Sequence, residues 1–295
     1  MKTIVSSLAI AAIIAGCSTI RAPVQAPLTS LPMKMTSAGH AYVYGDIDQV
    51  QDYPLIIDTA ANFGVLPERL QGKLQLAEED LHIEEIQGAT GKREMMRGTV
   101  GHTSLRGETV PNIDFIFQDM QSLTLSNGLI PGIIGHNYLR HYCIEFDFIH
   151  SQFNLAKGGC PTGKVESLRA LPFHIEDEFI KLQASFAGEN IDAILDTGAH
   201  HSFINSALLP LLRNVEHGKQ STSSGLGGHQ QNKTEIQQVN YKLGNYSILE
   251  PIMFVADLSV FDDLGYNNKP ILLLGLDLFR SGRLIIDYQN RNIYF

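Results

Sequence analysis

The chain contains itself twice. Near position 58 it reads Pro54-Leu55-Ile56-Ile57-Asp58-Thr59-Ala60-Ala61, and near position 196 it reads Asp192-Ala193-Ile194-Leu195-Asp196-Thr197-Gly198-Ala199. Downstream, Ile133-Ile134-Gly135-His136-Asn137-Tyr138-Leu139-Arg140 is echoed by Leu273-Leu274-Gly275-Leu276-Asp277-Leu278-Phe279-Arg280. A third pair follows in the same order: Ile144-Glu145-Phe146-Asp147-Phe148 with Leu284-Ile285-Ile286-Asp287-Tyr288, then Phe153-Asn154-Leu155 with Ile293-Tyr294-Phe295. The first blocks are offset by 138 residues and the later ones by 140, so the register slips by only two positions. Matched blocks in one order with so small a slip imply duplication of a structural unit. Two homologous lobes are expected, at 39–157 and 171–295, joined by a Gly- and Pro-containing linker at 158–170.

Within each lobe the short-range pattern is β. Apolar runs and alternation occur at 41–44, 53–57, 113–117 and 144–148, and recur at 179–186, 191–195, 236–243 and 284–287. A turn is expected at Gly188-Glu189-Asn190. Short helices are expected after Gly135 and Gly275, where apolar residues recur three or four apart. The expectation is an all-β fold with a few short helices, built as two similar lobes. The 26 glycines and 12 prolines among 295 residues fit a chain with many turns.

The N-terminus is read as targeting sequence. Lys2 precedes the apolar stretch Ile4–Ala15, which is too short for an ordinary membrane-spanning helix. It ends in Ile14-Ala15-Gly16-Cys17, which resembles the bacterial lipobox. That resemblance implies a signal peptide at 1–16, acylation of Cys17 and a lipid bilayer as partner. Ser18 in place of Asp implies the outer membrane, facing the periplasm of the bacterial envelope. Pro23, Pro27 and Pro32, with Ser and Thr between them, suggest that the rest of 17–38 is an extended tether. An oxidising compartment permits a disulfide between Cys143 and Cys160, which spacing alone does not establish.

An apolar strand ending in Asp-Thr-Gly presents a carboxylate from a tight loop. The two loops at Asp58 and Asp196 are each followed, 77 and 79 residues later, by an apolar-apolar-Gly block at Gly135 and Gly275. This arrangement resembles the retropepsin-like aspartic proteases over nearly all of 40–295. The resemblance implies a two-lobed acid-protease barrel fold and a polypeptide substrate. It makes Asp58 and Asp196 a catalytic pair that activates water, with no cofactor and no metal. Two carboxylates at about 3 Å share one proton because like charges cannot both ionise there. In the family the Thr59 and Thr197 hydroxyls cross to the opposite loop, Gly198 lets the backbone approach the acids, and the Gly135 and Gly275 blocks support the loops. Segments with Gly88 and Gly91, and with Gly225, Gly227 and Gly228, correspond to flaps over the substrate. A chain holding both acids is expected to work as a monomer.

Two departures matter. Ala60 stands where the family usually has Gly; were a positive φ needed there, Ala would strain the loop. This leaves open a second reading, a peptide-binding lipoprotein of the same fold with weakened or absent catalysis. A third arrangement would pair second lobes from two chains. Ala61 and Ala199 lack the hydroxyl that pepsin-like enzymes often direct at the acids, which favours raised carboxyl pKa values and activity from mildly acidic to neutral pH.

Other signals carry less. The net charge of −9, with no basic run, argues against nucleic-acid binding. Gly158–Lys164 has P-loop spacing, but Val165 replaces the hydroxyl that would hold magnesium. His200 and His201 are expected to point apart, one buried and one solvated. Neither zinc-ligand spacing nor Gly-x-Ser-x-Gly occurs.

Overall fold

The duplication is written into the sheet topology. The computed structural model describes residues 28–295, other than 90, 214 and 225–229. In the first lobe an eight-stranded sheet runs in the order Lys34–Met35, Ala41–Ile47, Val50–Ile57, Gly132–Ile134, Gly64–Pro67, Glu108–Gln118, Gly91–Leu105, Leu81–Gly88. The second lobe repeats that order with His174–Glu176, Phe179–Phe186, Glu189–Leu195, Ile271–Leu274, Phe203–Ile204, Tyr246–Val255, Gln230–Leu243, Glu216–Ser224. In each lobe one further pairing curls the sheet toward closure: Asp46 opposite Ser104 in the first, Ala184 opposite Leu243 in the second. The fold is mostly β, in two similar lobes, as the repeat requires.

A third sheet of six strands ties the lobes together, in the order Thr29–Pro32, Gln152–Lys157, Tyr142–Asp147, Arg283–Asp287, Asn292–Tyr294, Ala170–Pro172. Its centre is the antiparallel pairing of the two duplicated hairpins, where Glu145 sits opposite Ile285, its own counterpart in the repeat. That position marks the pseudo-two-fold axis. Its neighbours on both strands, Ile144, Phe146, Leu284 and Ile286, are fully buried. Buried Glu145 is held across the lobe boundary by Arg283 at 3.2 Å, within its own lobe by Asn154 at 2.8 Å, and from the linker by Lys164 at 3.3 Å. A carboxylate so enclosed is tolerated only because it is paired and hydrogen-bonded.

One expectation needs correction. The tether does not extend to residue 38. Thr29–Pro32 is an edge strand paired with Gln152–Lys157, and Lys34–Met35 pairs with the next strand, with Leu31 and Met33 buried. Apolar residues at alternating positions fold down onto the sheet despite the flanking prolines, and Pro32 is tolerated on an edge. The linker is also anchored. Cys160 is disulfide-bonded to Cys143 on the central sheet, and its N–H donates to Asp287 of the second lobe at 2.9 Å. Cys17 lies outside the described residues. No helix among the described residues is long and apolar enough to cross a membrane.

Candidate active site

Each Asp-Thr loop is held by the same backbone bonds. Val50–Ile57 runs parallel to Gly132–Ile134, and the Asp58 N–H donates to the Ile134 carbonyl at 3.0 Å. In the second lobe Glu189–Leu195 runs parallel to Ile271–Leu274, and the Asp196 N–H donates to Leu274 at 2.9 Å. The turn after each strand returns to the glycine block: His136 N–H donates to Ala61 at 2.7 Å, and Leu276 N–H to Ala199 at 2.9 Å. A β-carbon on Gly135 would lie 2.5 Å from the Ala61 carbonyl oxygen, and one on Gly275 would lie 2.3 Å from the His201 carbonyl carbon. Backbone meets backbone at both places, so only glycine fits.

The threonines cross between lobes. Thr59 N–H donates to Thr197 Oγ1 at 3.0 Å and Thr197 N–H to Thr59 Oγ1 at 3.1 Å. Each hydroxyl then donates to the carbonyl just before the opposite Asp, Thr59 to Leu195 and Thr197 to Ile57, both at 2.9 Å. Both threonines are fully buried. Thr197→Val would keep the shape but leave a buried N–H and a buried C=O unpaired. A loss of about 2–4 kcal/mol of stability is expected, readable as a shifted urea midpoint.

The lock brings Asp58 and Asp196 together in the lining of one cleft, where each carboxyl acts on the other. Asp58 Oδ1 accepts N–H bonds from Ala60 at 2.9 Å and Ala61 at 3.0 Å, and Asp196 Oδ1 accepts from Ala199 at 3.0 Å. Desolvation raises both carboxyl pKa values. The two N–H donors and nearby His40 restrain the rise at Asp58, whereas at Asp196 the charge of Asp58 adds to desolvation and lifts it well above the carboxylate range. Like charges so close cannot both ionise, so the favoured state has one proton shared by the pair.

Ala60 does not strain the first loop. Its φ is not in the left-handed region, and its N–H serves Asp58. The tight point is in the other loop: a β-carbon on Gly198 would sit 2.3 Å from Asp58 Oδ2. The lobes therefore differ, and the alanine stands in the one with room for it.

The first hairpin tip reaches over the cleft, with Gly88 and Gly91 facing across the turn and Gly91 at φ +146°. It touches the second lobe's short helix Ser259–Asp263: Gln87 Nε2 donates to Ser259 Oγ at 3.2 Å, and Ser259 Oγ donates to the Ala89 carbonyl at 3.2 Å. Gly225, Gly227 and Gly228 lie outside the described residues, between the strands Glu216–Ser224 and Gln230–Leu243. The cleft holds about 640 Å³, with both acids in its lining and more apolar than polar surface around them.

Three site residues were not legible in the sequence. His40 donates from Nδ1 to the Gly198 carbonyl at 2.7 Å, and burial lowers its pKa, so it is a neutral donor bracing the second loop. Arg280 donates to His200 Nε2 at 2.9 Å and to the Gly39 carbonyl at 3.1 Å, joining that loop to the first lobe. Glu250 lies behind the loop. His200 and His201 do not point apart: their chain is bent, not extended, and the rings stack at 4.0 Å, both half-buried. His201 donates to Asp277 at 2.7 Å. Among the described residues, no group of three or more His, Cys, Asp or Glu could hold a metal ion.

Glu250 accepts from the Tyr241 hydroxyl at 2.7 Å and is hydrogen-bonded by Ser202; burial pushes its pKa up to about 7. A raised folded-state pKa means that the full contribution to stability is present below the ordinary value of 4.5 and is lost as pH rises through 7. Glu250→Gln should remove a stability decline worth about 3 kcal/mol between those limits. Melting temperatures of both proteins from pH 4 to 8 test this; parallel curves would refute it.

The comparisons with known proteins follow the lobe boundaries. Residues 43–138 match the family model described as aspartyl protease, and residues 180–284 match that of retroviral aspartyl protease. Among solved structures, the crystal structure of Basic 7S globulin from soybean aligns with 92% of this chain and 95% of its own. The identity is 11% and the TM-score 0.49. A comparison with curated proteins finds no match. An aspartyl-protease family model therefore matches within each of the two lobes.

Proposed function

We propose that the chain is an aspartic endopeptidase whose active pair is Asp58 and Asp196. The observation that carries this reading is the juxtaposed, mutually interacting acid pair, each acid preceding one of two reciprocally locked threonines in the lining of an apolar cleft. A water held between the acids loses a proton to the ionised member of the pair as its oxygen attacks the peptide carbonyl. The protonated member donates to the carbonyl oxygen and stabilises the charge that develops there. Collapse of the tetrahedral intermediate breaks the C–N bond, and a proton passes to the departing amine. The Leu81–Leu105 hairpin acts as a flap, closing on the Ser259–Asp263 helix and offering backbone groups to an extended peptide.

The inactive reading drew its support from Ala60, which costs the loop nothing here. Activity needs one acid ionised and one protonated, so the pH profile should be bell-shaped. Both pKa values are raised, so both limbs move upward and the optimum falls between mildly acidic and neutral pH. Hydrolysis of an unfolded protein across pH 3–8 tests this; an optimum below about 3 would contradict it.

The same proposal includes the address: acylation of Cys17 and attachment to the periplasmic face of a bacterial outer membrane. Its support is the Ile14–Cys17 tetrad after a short apolar run. Mass spectrometry of the mature N-terminus should find acyl chains on Cys17, and an unmodified cysteine there would end the anchoring proposal.

A further inference from the structure

The two-fold repeat builds two subsites, one on each side of the acid pair, from equivalent positions. In the first lobe Val65 pairs with Ile116, and both lie in the apolar cluster that floors the cleft on that side. In the second lobe the same pairing is Phe203 with Phe254. The flap strands keep register with these floors: Met96 pairs with Phe117 and Thr234 with Val255. The residues just before, Met95 and Lys233, are therefore counterparts, and both line the cleft. Both floors are apolar, and what differs is the side chain above them: a thioether on one side, an ammonium on the other.

Lys233 has no anion. Its Nζ lies 4.2 Å from the Phe254 ring centre and 5.6 Å from that of Phe203, over the aromatic floor. Every Asp and Glu of the chain is among the described residues, and none forms an ion pair with it. It is half-buried, and desolvation lowers its pKa. The rings compensate part of the lost hydration. A carboxylate entering the subsite would compensate the rest through a charge-assisted bond in a place partly shielded from water.

We infer that the second-lobe subsite accepts a carboxylate side chain, Asp or Glu, of the bound peptide, opposite an apolar side chain in the first-lobe subsite, and that Lys233 selects it. This deepens the peptidase reading and rests on it. A peptide bound with Phe over the Val65–Ile116 floor would place its acidic neighbour against Lys233.

The test uses amidated, internally quenched peptides with Phe-Glu or Phe-Gln at the centre, and the reversed pair Glu-Phe and Gln-Phe. In one orientation the Glu peptide should be cleaved with at least tenfold higher kcat/KM than its Gln partner. Lys233→Met should erase or invert that ratio, and Lys233→Arg should keep it. Glu and Gln peptides within twofold in both orientations, or a ratio unmoved by Lys233→Met, overturns the inference. A peptide ending in a free carboxylate at that position, compared with its amide, reads the other source of the same chemistry. Preference there without preference for Glu over Gln overturns the side-chain assignment. Fluorescence anisotropy of the same peptides on Asp196→Asn reads the discrimination without turnover. Glu preference in binding with no cleavage by the unmodified protein strikes the peptidase reading alone. Cleavage without discrimination strikes this inference alone.

Discussion

Asp196→Asn should reduce peptide turnover by about 10³- to 10⁴-fold while the protein remains folded. Asparagine keeps the shape and can still donate to a carbonyl oxygen, but it cannot exchange a proton with the reacting atoms. Asp58→Asn should cost as much, because the reaction needs one ionised and one protonated acid and either substitution breaks that pair. The two acids act as one unit, so the double variant should be little slower than either single one. The readout is kcat on an internally quenched peptide, with circular dichroism checking the fold. Full activity in both single variants would refute the paired-acid mechanism. Tolerance of Asp58→Asn alone would mean that second lobes pair between chains.

Gly198→Ala should lose at least about 100-fold in kcat, an effect on the scale of a misplaced catalytic group. The added methyl would lie 2.3 Å from Asp58 Oδ2 and 2.4 Å from its Cγ. That carboxylate is already fixed by the N–H groups of Ala60 and Ala61, so it cannot retreat without giving up those bonds. The pair would be pushed out of contact. Ala60→Gly, at the corresponding place in the first lobe, should leave kcat within about twofold and lower stability by about 0.4–1 kcal/mol through unfolded-state entropy. Equal activity of the two variants would show that the asymmetry between the loops is without consequence.

Much of the fold was legible because a duplication is a long-range statement made in sequence. Strands with clear apolar alternation, such as Ala41–Ile47 and Phe179–Phe186, were evident. Glu216–Ser224 was not, since a flap strand with little apolar surface carries no periodic signal. Thr29–Pro32 was hidden by its proline and by its position on an edge.

The repeat alone determined that there are two similar lobes, that each offers an Asp-Thr loop, and that a glycine block follows each loop at nearly the same distance. It could do so because equal spacing in a duplicated chain survives folding as equal placement. The tertiary structure decided that the two acids share one desolvated site, that Ala60 is harmless while Gly198 is not, and that His40 and Arg280 tie the second loop to the first lobe. It also placed Lys233 and Met95, counterparts in the repeat, in the lining of the cleft that holds the acid pair. These depend on distances between residues far apart in the chain, on what shields them from water and on which donors point at them. None of that is encoded in local order, and it arises only once the two halves close on each other.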